Sequence, residues 1–356
     1  MTINPKAHTL DCKRVPNEIF GRLGYVRLDK NEKSVGYPEE FVQEMFQGVT
    51  PDMLSSYPEP FILQKKLAQF LGVEEDRILL TSGSDAAIKT CFETFIDSGD
   101  KVVRLDPTYA MIGVYSKLFG AKEIKGEYNN SLNLDFNGLI GEIRNGAKLV
   151  YIANPNSPTG TVMSLDQLRL LCREAKSIDA VVVVDEAYQN FSSISAFTLL
   201  DQFENLAIVR TFSKAAGLAS VRLGYIISSP EIINWLSRWR PMYEINSFAQ
   251  HCGCFILDHW EYVEQYVKEI LSTREWFIEK INKKGLLALE SHANFVLVKY
   301  PKEKIPDIVD KFKEEGILIK GGGNSFPLSE TLRFSIGTRP QMKRCIEILN
   351  KLSEKE

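Results

Sequence analysis

The chain has 356 residues, 44% hydrophobic and 25% charged, with a formal net charge of −3. That apolar content supplies a large core, and the length suits two domains or one large α/β domain with an appendage. No basic block or basic-aromatic interleaving supports a nucleic-acid surface, no apolar run approaches the roughly 20 residues of a membrane span, and the first ten residues lack the apolar core of a signal peptide, so a cytoplasmic location is expected.

In chain order, an amphipathic helix over 63–71 leads to a short apolar strand over 77–81 and a glycine-bearing turn, Thr81-Ser-Gly-Ser-Asp-Ala-Ala-Ile88. A strand over 101–105 ends in Pro107-Thr-Tyr109, and one over 148–153 in Asn154-Pro-Asn-Ser-Pro-Thr-Gly160. A helix over 165–176 precedes the strand Ala180-Val-Val-Val-Val-Asp185, continued by Glu-Ala-Tyr188. A strand over 207–211 runs into Thr211-Phe-Ser-Lys214 and on to Arg222, and another follows over 223–228. Apolar strands separated by helices predict a mostly parallel central sheet buried on both faces. After about Pro241 the pattern changes to long helices over 246–276, strands over 294–300, 316–320 and 332–336, and a helix over 305–315, which reads as a smaller α+β domain.

Six cysteines are scattered, and the one close pair, Cys252 and Cys254, fits neither a zinc nor a redox spacing, so reduced core residues are expected. Histidines 8, 251, 259 and 292 are too dispersed to suggest a metal cluster.

Ligands of open α/β sheets gather at the carboxyl ends of strands, and the polar residues accumulate there. Asp185 follows four valines, so its carboxylate must be paired, capping or functional. Gly83, Ser84 and Asp85 open a helix whose exposed amides favour an anion, although Ser-Asp before an apolar run is also a capping sequence. Ser213 and Arg222 bracket Lys214 with a hydroxyl and a fork-shaped cation, the pair a phosphate needs.

In this order and spacing, from Leu28-Asp-Lys-Asn-Glu32 to Leu332-Arg-Phe-Ser-Ile-Gly-Thr338, the segments resemble the pyridoxal-phosphate enzymes of fold type I. The similarity is closest to the class I and II aminotransferases and, within them, to the histidinol-phosphate aminotransferase branch. It implies a large pyridoxal-phosphate-binding domain over 35–245 and a small domain built from 1–34 and 246–356, with the active site between them. Lys214 is expected to hold the cofactor as a Schiff base and then move a proton. Asp185 is expected to pair with the protonated ring nitrogen: at ~4 Å and an effective dielectric of ~20 the attraction is about 4 kcal/mol, roughly three pKa units. Tyr188 is expected at the ring hydroxyl with either Asn156 or Ser157, Tyr109 stacked on the ring, and Gly83, Ser84, Asp85, Thr211, Ser213 and Arg222 around the phosphate. Tyr57 matches the tyrosine that reaches the neighbouring subunit's phosphate, which makes the working unit a homodimer.

At the substrate end the resemblance assigns Arg333 to the substrate's distant anion and Asn31 to substrate binding. The branch's second arginine is replaced by Lys320, which keeps the charge and loses the fork, and its N-terminal tyrosine by Asn17. The implied reaction is amino transfer between an amino acid such as glutamate and a small, phosphorylated amine. A pyridoxal-phosphate decarboxylase of a phosphorylated amino acid is the nearest alternative. A non-catalytic cofactor-binding module is more distant, since such modules bring a DNA-binding domain. A nicotinamide dehydrogenase would need Gly-x-Gly-x-x-Gly, which is absent.

Overall fold

Val181 to Val184 form the centre of the fold because their side chains alternate between two separate cores: Val182 and Val184 join one, Val181 and Val183 the other. A strand buried on both faces must be aliphatic throughout, and each valine contributes roughly 1.5–3 kcal/mol on burial. The structure, a computed structural model, describes residues 5–10, 12, 21–129, 131–321 and 328–353. Asn17 lies outside them.

The strands are β1 (Val26–Leu28), β2 (Ile78–Thr81), β3 (Lys101–Asp106), β4 (Lys122–Glu127), β5 (Leu149–Ala153), β6 (Val181–Asp185), β7 (Leu206–Thr211), β8 (Gly224–Ile227), β9 (Phe295–Lys299), β10 (Ile317–Gly321) and β11 (Thr331–Ser335). Seven of them make one sheet in the order β2-β8-β7-β6-β5-β3-β4, parallel except for β8, which runs antiparallel to β2 and β7. This is the α/β architecture expected from the resemblance, a mostly parallel sheet flanked by helices. The remaining four form a second sheet, β1-β10-β11-β9, in which the N-terminal strand β1 lies parallel to β10.

One departure from the sequence reading has a local cause. Strand β4 was not expected because Lys-Glu-Ile-Lys-Gly-Glu has no apolar run; it lies at the sheet edge, where an exposed face tolerates charge. The long helices expected over 246–276 are Ser247–Asp258 and Trp260–Asn282, separated where His259 leaves helical geometry at φ −118°, ψ 38°. The helix over Leu165–Lys176 begins as its sequence dictates, with a reciprocal capping box between Ser164 and Gln167. Among the described residues no helix is long and apolar enough to cross a membrane.

Candidate active site

The carboxyl ends of β5, β6 and β7, the turn after β2 and the loop after β3 converge on one cavity of about 130 Å³. Ser84, Asp85, Tyr109, Ser157, Asp185, Tyr188, Thr211, Ser213, Lys214 and Arg222 all line it. Residues separated by up to 138 positions are thus brought together at strand ends, as a buried parallel sheet requires of its ligands.

Asp185 ends β6 and is nearly buried. Its Oδ1 accepts from the Ala187 amide at 3.0 Å, and its Oδ2 from the Tyr151 hydroxyl at 2.7 Å. Burial pushes its carboxyl up to about 6, against the opposing pull of these two bonds and of the Lys214 charge. Lys214, in the loop after β7, gives its Nζ to the Lys30 carbonyl at 3.0 Å and lies 5.5 Å from the Tyr188 ring centre. Burial alone would raise the Tyr188 phenol. The charges of Lys214 and Arg333, with hydrogen bonds from Asn31 and Ser157, outweigh it and bring the phenol below its ordinary value.

At the other end of the cavity, Arg222 gives Nη1 to Ser213 Oγ at 3.3 Å, and Thr211 holds Ser213 through the Ser213 amide at 3.1 Å. Arg222 takes up the left-handed φ of 58°, uncommon for a side-chain-bearing residue and a mark of functional constraint. The helix Gly83–Phe95 starts beside it; Ser84 and Asp85 lie within its first turn rather than at the N-cap, and Ser82, which is at the N-cap, makes no side-chain cap bond. A Cβ on Gly83 would come within 2.6 Å of Arg222 Nη2, and one on Gly224 within 2.7 Å of the Ser84 amide nitrogen. Gly83 therefore lets the helix start approach the cation closely, and Gly224 lets strand β8 approach that helix start. Tyr109 donates its hydroxyl to Asp85 at 3.2 Å.

A second cavity shares Tyr109 and Ser157 with the first and is closed by Lys320 and Arg333. Arg333 donates Nη2 to the Asp29 carbonyl at 2.6 Å, while its buried Nε has no partner. The Asp29 carboxylate is taken by Arg22 at 2.5 Å and so does not neutralise Arg333 directly.

Two of the expected site residues, Asn31 and Asn156, line neither cavity. Asn31 donates Nδ2 to the Tyr188 hydroxyl at 3.0 Å, its Oδ1 accepts from Ser335 at 2.9 Å, and the residue is 2% exposed, so its amide is bonded on both sides. Asn156 is equally committed, with Nδ2 on Pro107 O and Thr159 Oγ1 and Oδ1 receiving Thr108. Of the two residues left open at the ring hydroxyl, Ser157 is the one that faces the cavity. Tyr57 lies outside this chain's own cavity, exposed and stacked on Tyr243 at 4.3 Å.

Sequence reading missed Tyr151 and the run of carbonyls at 29–31. Asp29, Lys30 and Asn31 accept in turn from Arg333, Lys214 and Asn294. A lone tyrosine inside the aliphatic strand beside Asp185 was the available signal for the first. Nothing along the chain signalled the second.

The donor set fits pyridoxal phosphate: a carboxylate for the ring nitrogen, a lysine for the aldehyde, and a serine, an arginine and an uncapped helix start for the phosphate. The family model for aminotransferase class I and II matches residues 25–349. The chain belongs to that family, the pyridoxal-phosphate-dependent aminotransferases of fold type I. Within it the chain falls in the histidinol-phosphate aminotransferase-like branch. It is 34% identical over 316 residues to the histidinol-phosphate aminotransferase of Caldanaerobacter subterraneus subsp. tengcongensis, covering 88% of each chain. The histidinol-phosphate aminotransferase of Sinorhizobium meliloti, solved with pyridoxal-5'-phosphate, superposes with a TM-score of 0.87 at 23% identity over 99% of both chains. The L-threonine-O-3-phosphate decarboxylase of Porphyromonas gingivalis shares the fold at a TM-score of 0.79 and 21% identity, covering 92% of this chain and 99% of that one.

Proposed function

We propose that the enzyme transfers an amino group from an amino acid such as glutamate to a small oxo substrate whose far end carries a phosphate. The observation that carries this reading is the opposed pair Lys320 and Arg333, two cations closing a cavity that shares a wall with the one holding Lys214. A dianion there meets a fork-shaped donor and a point charge together.

Pyridoxal phosphate supplies the electron sink that makes the substrate's α-proton removable. Arg222, Ser213 and the amides of Gly83, Ser84 and Asp85 would hold its phosphate, with Thr211 bracing Ser213. Asp185 would hold the ring nitrogen, Tyr109 the ring face, and Tyr188 with Ser157 the ring hydroxyl. Lys214 would hold the cofactor's aldehyde end and carry a proton at its Nζ, which in this structure donates to the Lys30 carbonyl. In this reading residues 35–245 hold the cofactor, while 1–34 and 246–356 supply the anion hook.

A homodimer is supported by apolar side chains left uncovered in the single chain: Leu54, Tyr57, Phe61, Ile62, Met242 and Tyr243 are all exposed. Tyr57 would then complete the partner's phosphate site.

The test is the visible absorption spectrum of the protein with pyridoxal phosphate, before and after glutamate, with histidinol phosphate and smaller phosphorylated amines as parallel donors. Bleaching of the yellow band by an amine supports transfer and identifies its donor. Decarboxylation of a phosphorylated amino acid is the second reading, favoured by the fold shared with the phosphothreonine decarboxylase; carbon dioxide release without bleaching would establish it instead.

A further inference from the structure

We propose that Tyr151 is a positioning residue of the reaction, whose buried hydroxyl holds the Asp185 carboxylate ionised and aimed into the cofactor cavity. The inference deepens the proposed function and rests on Asp185 meeting the ring nitrogen.

The argument begins in the sheet. Strands β5 and β6 are parallel neighbours in the register Tyr151 to Val183 and Ala153 to Asp185. Tyr151 and Ala153 point to the same core as Val181 and Val183, and Asp185, two residues beyond Val183, follows the same parity. The phenol therefore lies diagonally behind the carboxylate, with 0% of the residue exposed and a hydrogen bond of 2.7 Å.

This bond changes what Asp185 can be. With Ala187 on Oδ1 and Tyr151 on Oδ2, both oxygens are fixed from the protein side, and the lone pairs left over are those toward the cavity that Asp185 lines. Burial, reinforced by the adjacent carboxylate, drives the Tyr151 phenol well above its ordinary value, so it stays a neutral donor. A donor stabilises the charged carboxylate over the protonated one. The other titratable groups facing Asp185 are Lys214 from the loop after β7, Tyr109 from the loop after β3 and Glu186 from its own turn, with Tyr188 lining the same cavity. Lys214 is the sole cation among them, and the proposed reaction takes it into covalent duty. Tyr151 and the Ala187 amide keep their favourable contacts throughout, and of the two only Tyr151 is a side chain.

The test compares wild type with Tyr151→Phe in two measurements. In apoprotein carrying [4-13C]aspartate, the Asp185 resonance is assigned by its loss in Asp185→Asn. Its titration midpoint should rise by about one pH unit in Tyr151→Phe, the size of a lost hydrogen bond to a buried charge. An unchanged or lowered midpoint overturns the proposal. The affinity for pyridoxal phosphate, measured by equilibrium dialysis, should be about fivefold weaker in Tyr151→Phe near pH 6 and equal to wild type by about pH 8, as linkage to one carboxyl requires. A loss uniform across pH would mark Tyr151 as merely structural and also overturn it. If Tyr151→Phe fails to fold, difluorotyrosine at position 151, isosteric and a stronger donor, should move the midpoint down; no movement then counts against the proposal. The carboxyl titration needs no cofactor, so failure of the wild type to bind pyridoxal phosphate would sink the proposed function while leaving this measurement intact.

Discussion

Lys320 and Arg333 are direct cross-strand partners in the β10–β11 ladder, two cations facing each other where a sheet would normally pair opposite charges. The repulsion is tolerable because Lys320 is exposed, and in the proposed function an incoming anion would relieve it.

Lys320→Ala should therefore act in opposite directions on stability and on binding. The apoprotein should gain a few tenths of a kcal/mol as the repulsion goes, while KM for a phosphorylated substrate rises about tenfold, the value of one charge-assisted bond. Chemical denaturation and steady-state kinetics on the same samples test this. A variant losing both would show that Lys320 serves the scaffold.

Arg333→Lys should be the more damaging change, because lysine cannot keep both the Asp29 carbonyl and the free Nε direction. A loss of about 2–3 kcal/mol in kcat/KM for an anionic substrate is expected, with cofactor affinity unaltered. Equal loss for uncharged amines would remove the anion from its role.

Asp185→Asn should stabilise the apoprotein at neutral pH. The folded carboxyl is raised from 3.8 to about 6, so its contribution to stability is fully present below its unfolded value and is lost as pH rises through the folded one. Two units correspond to about 3 kcal/mol, an upper bound on the gain from removing the charge. The advantage of Asp185→Asn over wild type should appear between about pH 4 and pH 6, persist at pH 7.5, and come with weaker pyridoxal phosphate binding. Urea denaturation at pH 4 and pH 7.5 checks the sign, which would be reversed if the carboxylate stabilised the empty site.

Asn31 takes a φ of 56°, so two substitutions separate its backbone from its side chain. Asn31→Gly keeps the left-handed turn and loses the bonds to Tyr188 and Ser335, whereas Asn31→Ala adds about 1 kcal/mol for the conformation itself. Both should raise the Tyr188 phenol by removing a donor, an effect read from tyrosinate absorption near 295 nm. Alanine should be the less stable of the two in thermal unfolding; equal stability would mean that the turn relaxes.

What could be read along the chain was what the chain keeps local. Asp185 and Lys214 each stand at a strand's end, and Gly83 to Asp85 at a helix start, so strand prediction and residue type found them together. Tyr151 could not be separated from an ordinary core aromatic without the β5–β6 register that sets it behind Asp185. Asn31 was legible as a site residue, yet its partners, Tyr188 and Ser335, lie 157 and 304 positions away. For that reason its bond to the tyrosine was invisible. The turn over 154–160 posed the same difficulty, since Asn156 and Ser157 are distinguished only by which one the loop's own hydrogen bonds consume.

The three successive carbonyls of Asp29, Lys30 and Asn31 make the main chain a ruler. Consecutive Cα atoms stand about 3.8 Å apart whatever the side chains do, and Arg333 and Lys214 are fastened to neighbouring marks on that scale. A movement of the N-terminal segment would carry the anion hook and the lysine contact together rather than one past the other. Under the proposed function, molecules with the right charge but a longer or shorter spacer would be rejected by covalent geometry, and lengthening the accepted substrate would require redrawing a peptide backbone instead of trimming a side chain.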